Sequence, residues 1–316
     1  MKLAIAFFRL IRWPNLAFIV LTQVLFYYCI IVPRLPAEYY LLSHTINSFI
    51  FVLIVLASVL IAAGGYIIND YFDINIDQIN KPQKMVVEKI INRRWAILWH
   101  LIVTTAGIAI SFYVSLKTNW LVLIANIICS ILLWFYSTTF KKKLLTGNII
   151  ISLLTAWTVL VLYVAAENKY TFATLFNTYF PQMQSIFKYA ILYGGFAFII
   201  SLVREVIKDM EDMEGDAKYG CTTMPIVWGV PSSKVFVAVW LIVLAGALAV
   251  VQFYVIQLGW WISAVYCLLM VIIPLIFIYT KLRTAQVAAD YHKLSSLIKV
   301  VMLTGILSMF FLKINT

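Results

Sequence analysis

The chain has 316 residues, 64% of them hydrophobic and only 12% charged, with a mean hydropathy of +0.97. A soluble globular chain carries roughly a quarter charged residues, so a soluble domain is excluded. The formal charge of +11 does not call for nucleic acid either, because its distribution follows membrane sidedness.

Apolar stretches of roughly 17 to 25 residues, long enough to cross about 30 Å of hydrocarbon at 1.5 Å per residue, recur along the sequence. They fall at about 15–32, 46–69, 95–115, 120–139, 147–166, 186–207, 234–256, 260–280 and 296–313. Unpaired backbone groups are prohibitively costly in lipid and no alternating ten-residue pattern suggests a barrel, so these segments are predicted to be helices. The expected fold is an all-α membrane protein, a nine-transmembrane-helix bundle with a cytoplasmic cap of loops, forming a single domain over 1–316.

The N-terminal "MKLAIAFFRLIRWPN" lacks a small-residue cleavage site after a clean apolar core, and Arg9 and Arg12 interrupt the run. The first helix is therefore expected to stay in the membrane. Asn15 is a polar residue entering that helix, and serves either a membrane-entry turn or substrate contact.

The second apolar stretch carries no Asp, Glu, Lys or Arg from Thr45 to Asn69, and then Asp70, Asp73 and Asp77 follow within eight positions. Loop 2–3 contains "NKP", and loop 4–5 contains "FKKKLLTGN". The stretch 167–187, aromatic and nearly uncharged, fits an interfacial helix or a loop lying on the bundle. In loop 6–7, "KDMEDMEGDAKYGCTTMPIVWG", Gly215, Gly220 and Pro225 punctuate turns.

With the N-terminus cytoplasmic, only Arg34, Lys117, Lys169, Lys188 and Lys313 of the 24 basic residues lie outside, as the positive-inside rule requires. The acids need not follow that rule, yet only Glu38 and Glu167 of 13 lie outside, and nine of the rest fall within 70–77 and 205–216. That concentration points to function. Cys29, Cys129, Cys221 and Cys267 have no CxxC spacing and read as small buried hydrophobes. His44, His100 and His292 are isolated, and no chemistry is assigned to them.

"NDYFDINID" (69–77) and "KDMEDMEGD" (208–216) share a residue at the second, fifth and ninth places, aspartate each time. Asp70, Asp73 and Asp77 thus repeat the spacing of Asp209, Asp212 and Asp216. On a helix, positions i, i+3 and i+7 fall within roughly 60°, which makes one acidic stripe. Asn69 and Lys208 each extend a stripe. Two stripes facing each other would place about six carboxylates around one cavity, and like charges so close persist around a cation. Oxygen ligands without Cys or His select a hard ion, and Mg²⁺ prefers a few carboxylates, waters and a substrate phosphate.

A diphosphate is then the natural bridging ligand, and an apolar surround suits a hydrocarbon tail. Arg12, Lys81, Lys84, Lys141, Lys142 and Arg204 could complete the anion site, although positive-inside topology accounts for the same cations. Tyr66, Tyr71 and Tyr136 lie near enough in sequence to shield a carbocation. A divalent-cation transporter is the alternative of another class. It would need a path across the bilayer, whereas both stripes sit at one face and no acid lies at the midplane.

At these residues the sequence resembles the UbiA superfamily of intramembrane prenyltransferases. Asn69, Asp73 and Asp77 match the family's NxxxDxxxD motif, with Asp70 as the usual extra aspartate. Asp212 and Asp216 match its second motif, with Asp209 upstream and "GCTTMPIVWG" downstream. "YSTTFKKKLLTGN" (136–148) resembles the loop 4–5 signature.

The resemblance implies a nine-helix bundle that binds a prenyl diphosphate through Mg²⁺ at Asp70, Asp73, Asp77, Asp209, Asp212 and Asp216. Asp73, Asp77, Asp212 and Asp216 would be catalytic. Asn69, Arg12, Asn15, Lys84, Lys141, Lys142, Arg204 and Lys208 would contact the diphosphate on the cytoplasmic side. The implied reaction ionises the allylic C–O bond and alkylates a lipophilic acceptor.

"REVIKDMEDMEGD" (204–216) looks most like the geranylgeranylglycerol-phosphate geranylgeranyltransferase branch, where the acceptor is the hydroxyl of a prenylated glycerol phosphate. An aromatic quinone precursor is the alternative acceptor. After "NKP" the family usually continues with an arginine, where this chain reads "QKMVVEKI", so Lys84 replaces a bidentate fork by a point charge.

Overall fold

The computed structural model describes residues 2–41, 46–80, 85–167 and 176–314. Among them every regular element is helical, apart from one isolated bridge between Val87 and Ile91. In chain order these are α1 (Lys2–Leu10), α2 (Trp13–Arg34), α3 (Ser48–Phe72), α4 (Ile74–Asn80), α5 (Arg93–Lys117) and α6 (Trp120–Thr138). There follow α7 (Thr146–Ala166), α8 (Phe176–Lys218), α9 (Met224–Val227), α10 (Gly229–Gln257), α11 (Trp261–Thr284) and α12 (Ala288–Ile314). Nine helices among the described residues are long and apolar enough to cross a membrane, and they overlap the nine stretches expected.

The largest departure is α8, which runs 43 residues from Phe176 where a span of 186–207 is expected. The acidic loop 6–7 segment continues the helix instead of leaving it, because 208–218 holds no proline and only Gly215. At its other end α8 takes in the second half of 167–187; residues 168–175 lie outside the described part.

The chain forms two compact units, one of residues 1–140 with 157–192, the other of 141–156 with 193–316. In the first, α3 and α5 pack closely enough to need glycine. A Cβ on Gly64 would lie 2.2 Å from Thr104 Oγ1, and one on Gly107 would lie 2.9 Å from Ile61 Cγ1. Small residues of this kind let membrane helices approach where no hydrophobic force separates them from lipid. His100 Nδ1 meets the Gly64 carbonyl at 2.9 Å across the same contact.

Polar side chains add direction to the packing. Gln23, fully buried, donates to Ser58 Oγ at 2.9 Å and to the Thr158 carbonyl at 3.0 Å. Asn126 accepts from Trp157 Nε1 at 2.9 Å and donates to Ser111 Oγ at 2.8 Å.

In the second unit the core joins Ile200, Val203 and Ile207 of α8 to Leu241 of α10, Leu275 of α11 and Ile298 of α12. These helices turn other faces outward: Val250 and Phe253 are 72% and 69% exposed. That is the expected pattern for helices whose outer face meets hydrocarbon.

Candidate functional site

Each unit carries one aspartate motif. In the first, α3 is uncharged until Asp70 in its last turn and ends at Phe72, where Asp73 caps it in the αR region at φ −88°, ψ −3°. One residue on, α4 begins and carries Asp77. The continuous stripe expected over 69–77 is therefore broken at its middle aspartate, which leaves the helix to cap it. Backbone bonds from Asp73 N to Asn69 O (2.9 Å) and from Asp77 N to Asp73 O (2.8 Å) preserve the four-residue step across the break. Asp70, Asp73 and Asp77 are all partly buried while Phe72 and Asn75 between them and Gln78 just after them are exposed, so the carboxylates still share an inward side.

Two contacts orient them. Asn69 Nδ2 donates to Asp73 Oδ2 at 2.7 Å, which explains the chemistry of an amide four residues before a carboxylate. Arg12 Nη2 donates to Asp70 Oδ1 at 2.6 Å, and its guanidinium lies 5.2 Å from the Tyr66 ring centroid. Arg12 sits between α1 and α2 at φ +52°, ψ +53°. For a residue with a Cβ this left-handed conformation costs of order 1 kcal/mol, and such strain is concentrated at functional positions. Asn15 is partly buried one turn later, its N–H donating to the Arg12 carbonyl at 2.8 Å. Lys81 and Lys84 lie outside the described residues.

In the second unit Asp209, Asp212 and Asp216 remain on one helix, partly buried along one side of α8. Two residues absent from the expected site join them. Asn148, near the start of α7, donates Nδ2 to Asp209 Oδ2 at 2.8 Å; it is the last residue of the loop 4–5 signature. Glu205, four residues before Asp209, is 9% exposed. It accepts from Arg204 Nη1 at 2.7 Å and lies 3.7 Å from Lys208 Nζ. Both expected diphosphate cations on α8 therefore already have a carboxylate partner. The signal for Glu205 was its place on the acidic stripe.

Lys141 and Lys142 belong to a 3-10 turn (Phe140–Lys142). The Lys142 carbonyl accepts from Thr222 N at 2.7 Å and Thr222 Oγ1 at 2.9 Å, while Cys221 N donates to Asp216 O at 3.0 Å. The loop after the second motif is thus fastened both to that motif and to the lysine turn. None of the four cysteines forms a disulfide, and all four are buried.

Among the described residues no three of His, Cys, Asp and Glu converge into a ready metal cage. The carboxylates are arrayed along helices with side-chain amides orienting them. An all-oxygen array of this kind fits Mg²⁺, which keeps several waters and takes substrate phosphate oxygens, and it does not fit a soft-metal cage.

A model described as the UbiA prenyltransferase family matches residues 30–303. A digeranylgeranylglyceryl phosphate synthase of Methanosphaera stadtmanae is 31% identical over 85% of this chain and 89% of its own length. A solved structure described as "Structural and mechanistic insights into the biosynthesis of Digeranylgeranylglyceryl phosphate synthase in membranes" is 25% identical. It has a TM-score of 0.63 over 98% of this chain and 99% of that one. A UbiA homolog from Archaeoglobus fulgidus bound to GPP and Mg²⁺ shares the fold at a TM-score of 0.58 and 15% identity, over 96% and 99% of the two chains.

Proposed function

The chain belongs to the UbiA prenyltransferase family, and from that premise we propose that it transfers a geranylgeranyl group from its diphosphate to the hydroxyl of geranylgeranylglyceryl phosphate. It is an integral, multi-pass membrane prenyltransferase, and we read residues 1–316 as one domain with its chemistry at the cytoplasmic face. The observation that carries the acceptor is the likeness to the Methanosphaera stadtmanae synthase, 31% identical over 85% of this chain.

Mg²⁺ is the proposed cofactor, held by Asp70, Asp73, Asp77, Asp209, Asp212 and Asp216; the Archaeoglobus fulgidus homolog bound to GPP and Mg²⁺ supports that reading. When bound, the ion stabilises the diphosphate as it departs. The chain's own residues do the rest. Asn69 and Asn148 fix the faces that Asp73 and Asp209 present. Arg12, Asn15, Lys84, Lys141, Lys142, Arg204 and Lys208 are the proposed contacts for the diphosphate.

As the allylic C–O bond breaks, its electron pair leaves with the diphosphate. The carbocation is then captured by the acceptor oxygen, which loses its proton. Apolar helices around the tail exclude the water that would otherwise compete.

Incubating membranes with labelled geranylgeranyl diphosphate and geranylgeranylglyceryl phosphate tests the proposal. The expected result is an EDTA-sensitive diether product. Product formed with dihydroxynaphthoate or hydroxybenzoate, and none with the glycerol phosphate, would overturn the acceptor assignment while leaving prenyl transfer intact.

A further inference from the structure

We infer that the loop before α5 together with the first two residues of that helix, residues 86–94, is a binding site for the phosphate headgroup of an anionic lipid in the surrounding leaflet. Val86, Val87 and Ile91 are 5%, 3% and 5% exposed and belong to a core with Ala6 and Leu10 of α1, Ile67 of α3 and Ala96 of α5. That core pins the loop at both ends. Between the pins the chain doubles back, with Ile90 N and Ile91 N both bonded to the Val86 carbonyl at 2.9 and 3.1 Å. Glu88 takes φ +69° to make the reversal, a cost that the fixed ends must offset.

The consequence is a preformed, outward tip. Glu88, Lys89, Ile90, Asn92, Arg93 and Arg94 line an open cleft of about 910 Å³. Asn92 accepts from Arg94 N at 3.1 Å and starts α5, so the two arginines are set by a capped helix. Arg93 meets Glu88 through Nε at 2.5 Å while its side chain stays 47% exposed, so the guanidinium is held by one edge at the surface. Three cations against one carboxylate give the cleft a positive balance, and arginine forks suit a phosphate better than point charges do.

Two observations select a lipid over a soluble anion. Trp95 and Trp99, one turn apart on α5, are 57% and 39% exposed, and Phe7 of α1 packs on Trp99 with ring centroids 5.1 Å apart. Tryptophans at the end of a spanning helix mark the headgroup level, so the cleft opens there. Ile90 is 49% exposed among the cations, which suits a ligand with apolar chain beside its head. Basic clusters immediately outside a spanning helix are the usual receptors for anionic lipid heads.

The inference needs only the membrane setting, so it stands apart from the catalytic proposal. Its test uses the full chain in phosphatidylcholine vesicles containing phosphatidic acid with brominated acyl chains, read as tryptophan quenching in excess of that from brominated phosphatidylcholine. The excess should saturate with phosphatidic acid, and Arg94→Gln or Lys89→Gln, both at exposed positions, should each shift its midpoint roughly fivefold. Arg93→Lys with Arg94→Gln should shift it further. Inorganic phosphate at matching concentration should leave the quenching unchanged. Wild-type midpoints in all three variants would overturn the proposal, and displacement by inorganic phosphate would make the cleft a free-anion site instead.

Discussion

Arg12 and Asp70 are 58 positions apart in sequence, yet Arg12 Nη2 lies 2.6 Å from Asp70 Oδ1. The pair ties the strained turn before the first spanning helix to the end of the second, and puts a fixed cation beside a carboxylate proposed to bind metal. Asp70 holds the guanidinium charge, raising its pKa above the ordinary arginine value. A raised pKa contributes stability that is complete below the unfolded value and is lost only as pH rises through the folded one. For arginine both values lie above any working range, so this pair supplies no pH dependence near neutrality.

Replacing Arg12 should therefore affect substrate binding at all pH values alike. Arg12→Gln is expected to raise KM for the prenyl diphosphate by roughly ten- to a hundredfold, the weight of a charged hydrogen bond. Arg12→Lys should recover part of the loss, because the charge returns without the fork. Initial rates across diphosphate concentrations at two pH values would check both statements.

The aspartate motifs bear the heaviest proposed load. Asp73→Asn and Asp212→Asn should each lower turnover by at least about a hundredfold while leaving folded protein in the membrane, since removing transition-state charge stabilisation costs on that scale. EDTA should silence the wild type equally, with Mg²⁺ restoring it. Full turnover in either variant would remove that aspartate from the metal site.

How much of this was legible in the sequence depended on whether a signal was local. The nine spans are local, set by runs of apolar residues, and their ends match to within about five residues except in α8 and in α12, which begins at Ala288 instead of 296. In α8 the acidic composition of 208–218 looks like a loop although no residue in it stops a helix. The break at Asp73 is the converse: no glycine or proline announces it, because an aspartate caps the helix with its own backbone. Asn148 could not be tied to Asp209 by spacing, since 61 positions separate them. Glu205 was legible only as one acid among those of 205–216; its pairing with Arg204 and Lys208 beside Asp209 comes from the side-chain geometry of α8.

Asn148 gives a direct test of that longer-range contact. Asn148→Ala leaves a partly buried carboxylate without its 2.8 Å donor and should cost about 1–3 kcal/mol in stability. Because the two residues touch, Asn148→Ala and Asp209→Ala should not add. A double-mutant cycle on the unfolding midpoint in detergent is expected to give a coupling of at least about 0.5 kcal/mol. Simple additivity would mean that Asn148 does not orient Asp209.

The α3–α5 contact makes the last prediction. A Cβ at Gly64 would fall 2.2 Å from Thr104 Oγ1 and 3.4 Å from Thr104 Cβ, so the hydroxyl is the obstacle. Gly64→Ala alone should destabilise the protein by about 1–3 kcal/mol through overpacking. It should also lower activity, because Gly64 lies less than two turns before Asn69 on the helix that aims Asp73. Removing the obstacle in Gly64→Ala/Thr104→Ala should restore most of the loss, whereas Thr104→Ala alone has little to gain. Unfolding midpoints for the four proteins, with turnover measured in parallel, decide the matter. If the second substitution rescues neither quantity, the close approach of the two helices is not what holds the first motif in place.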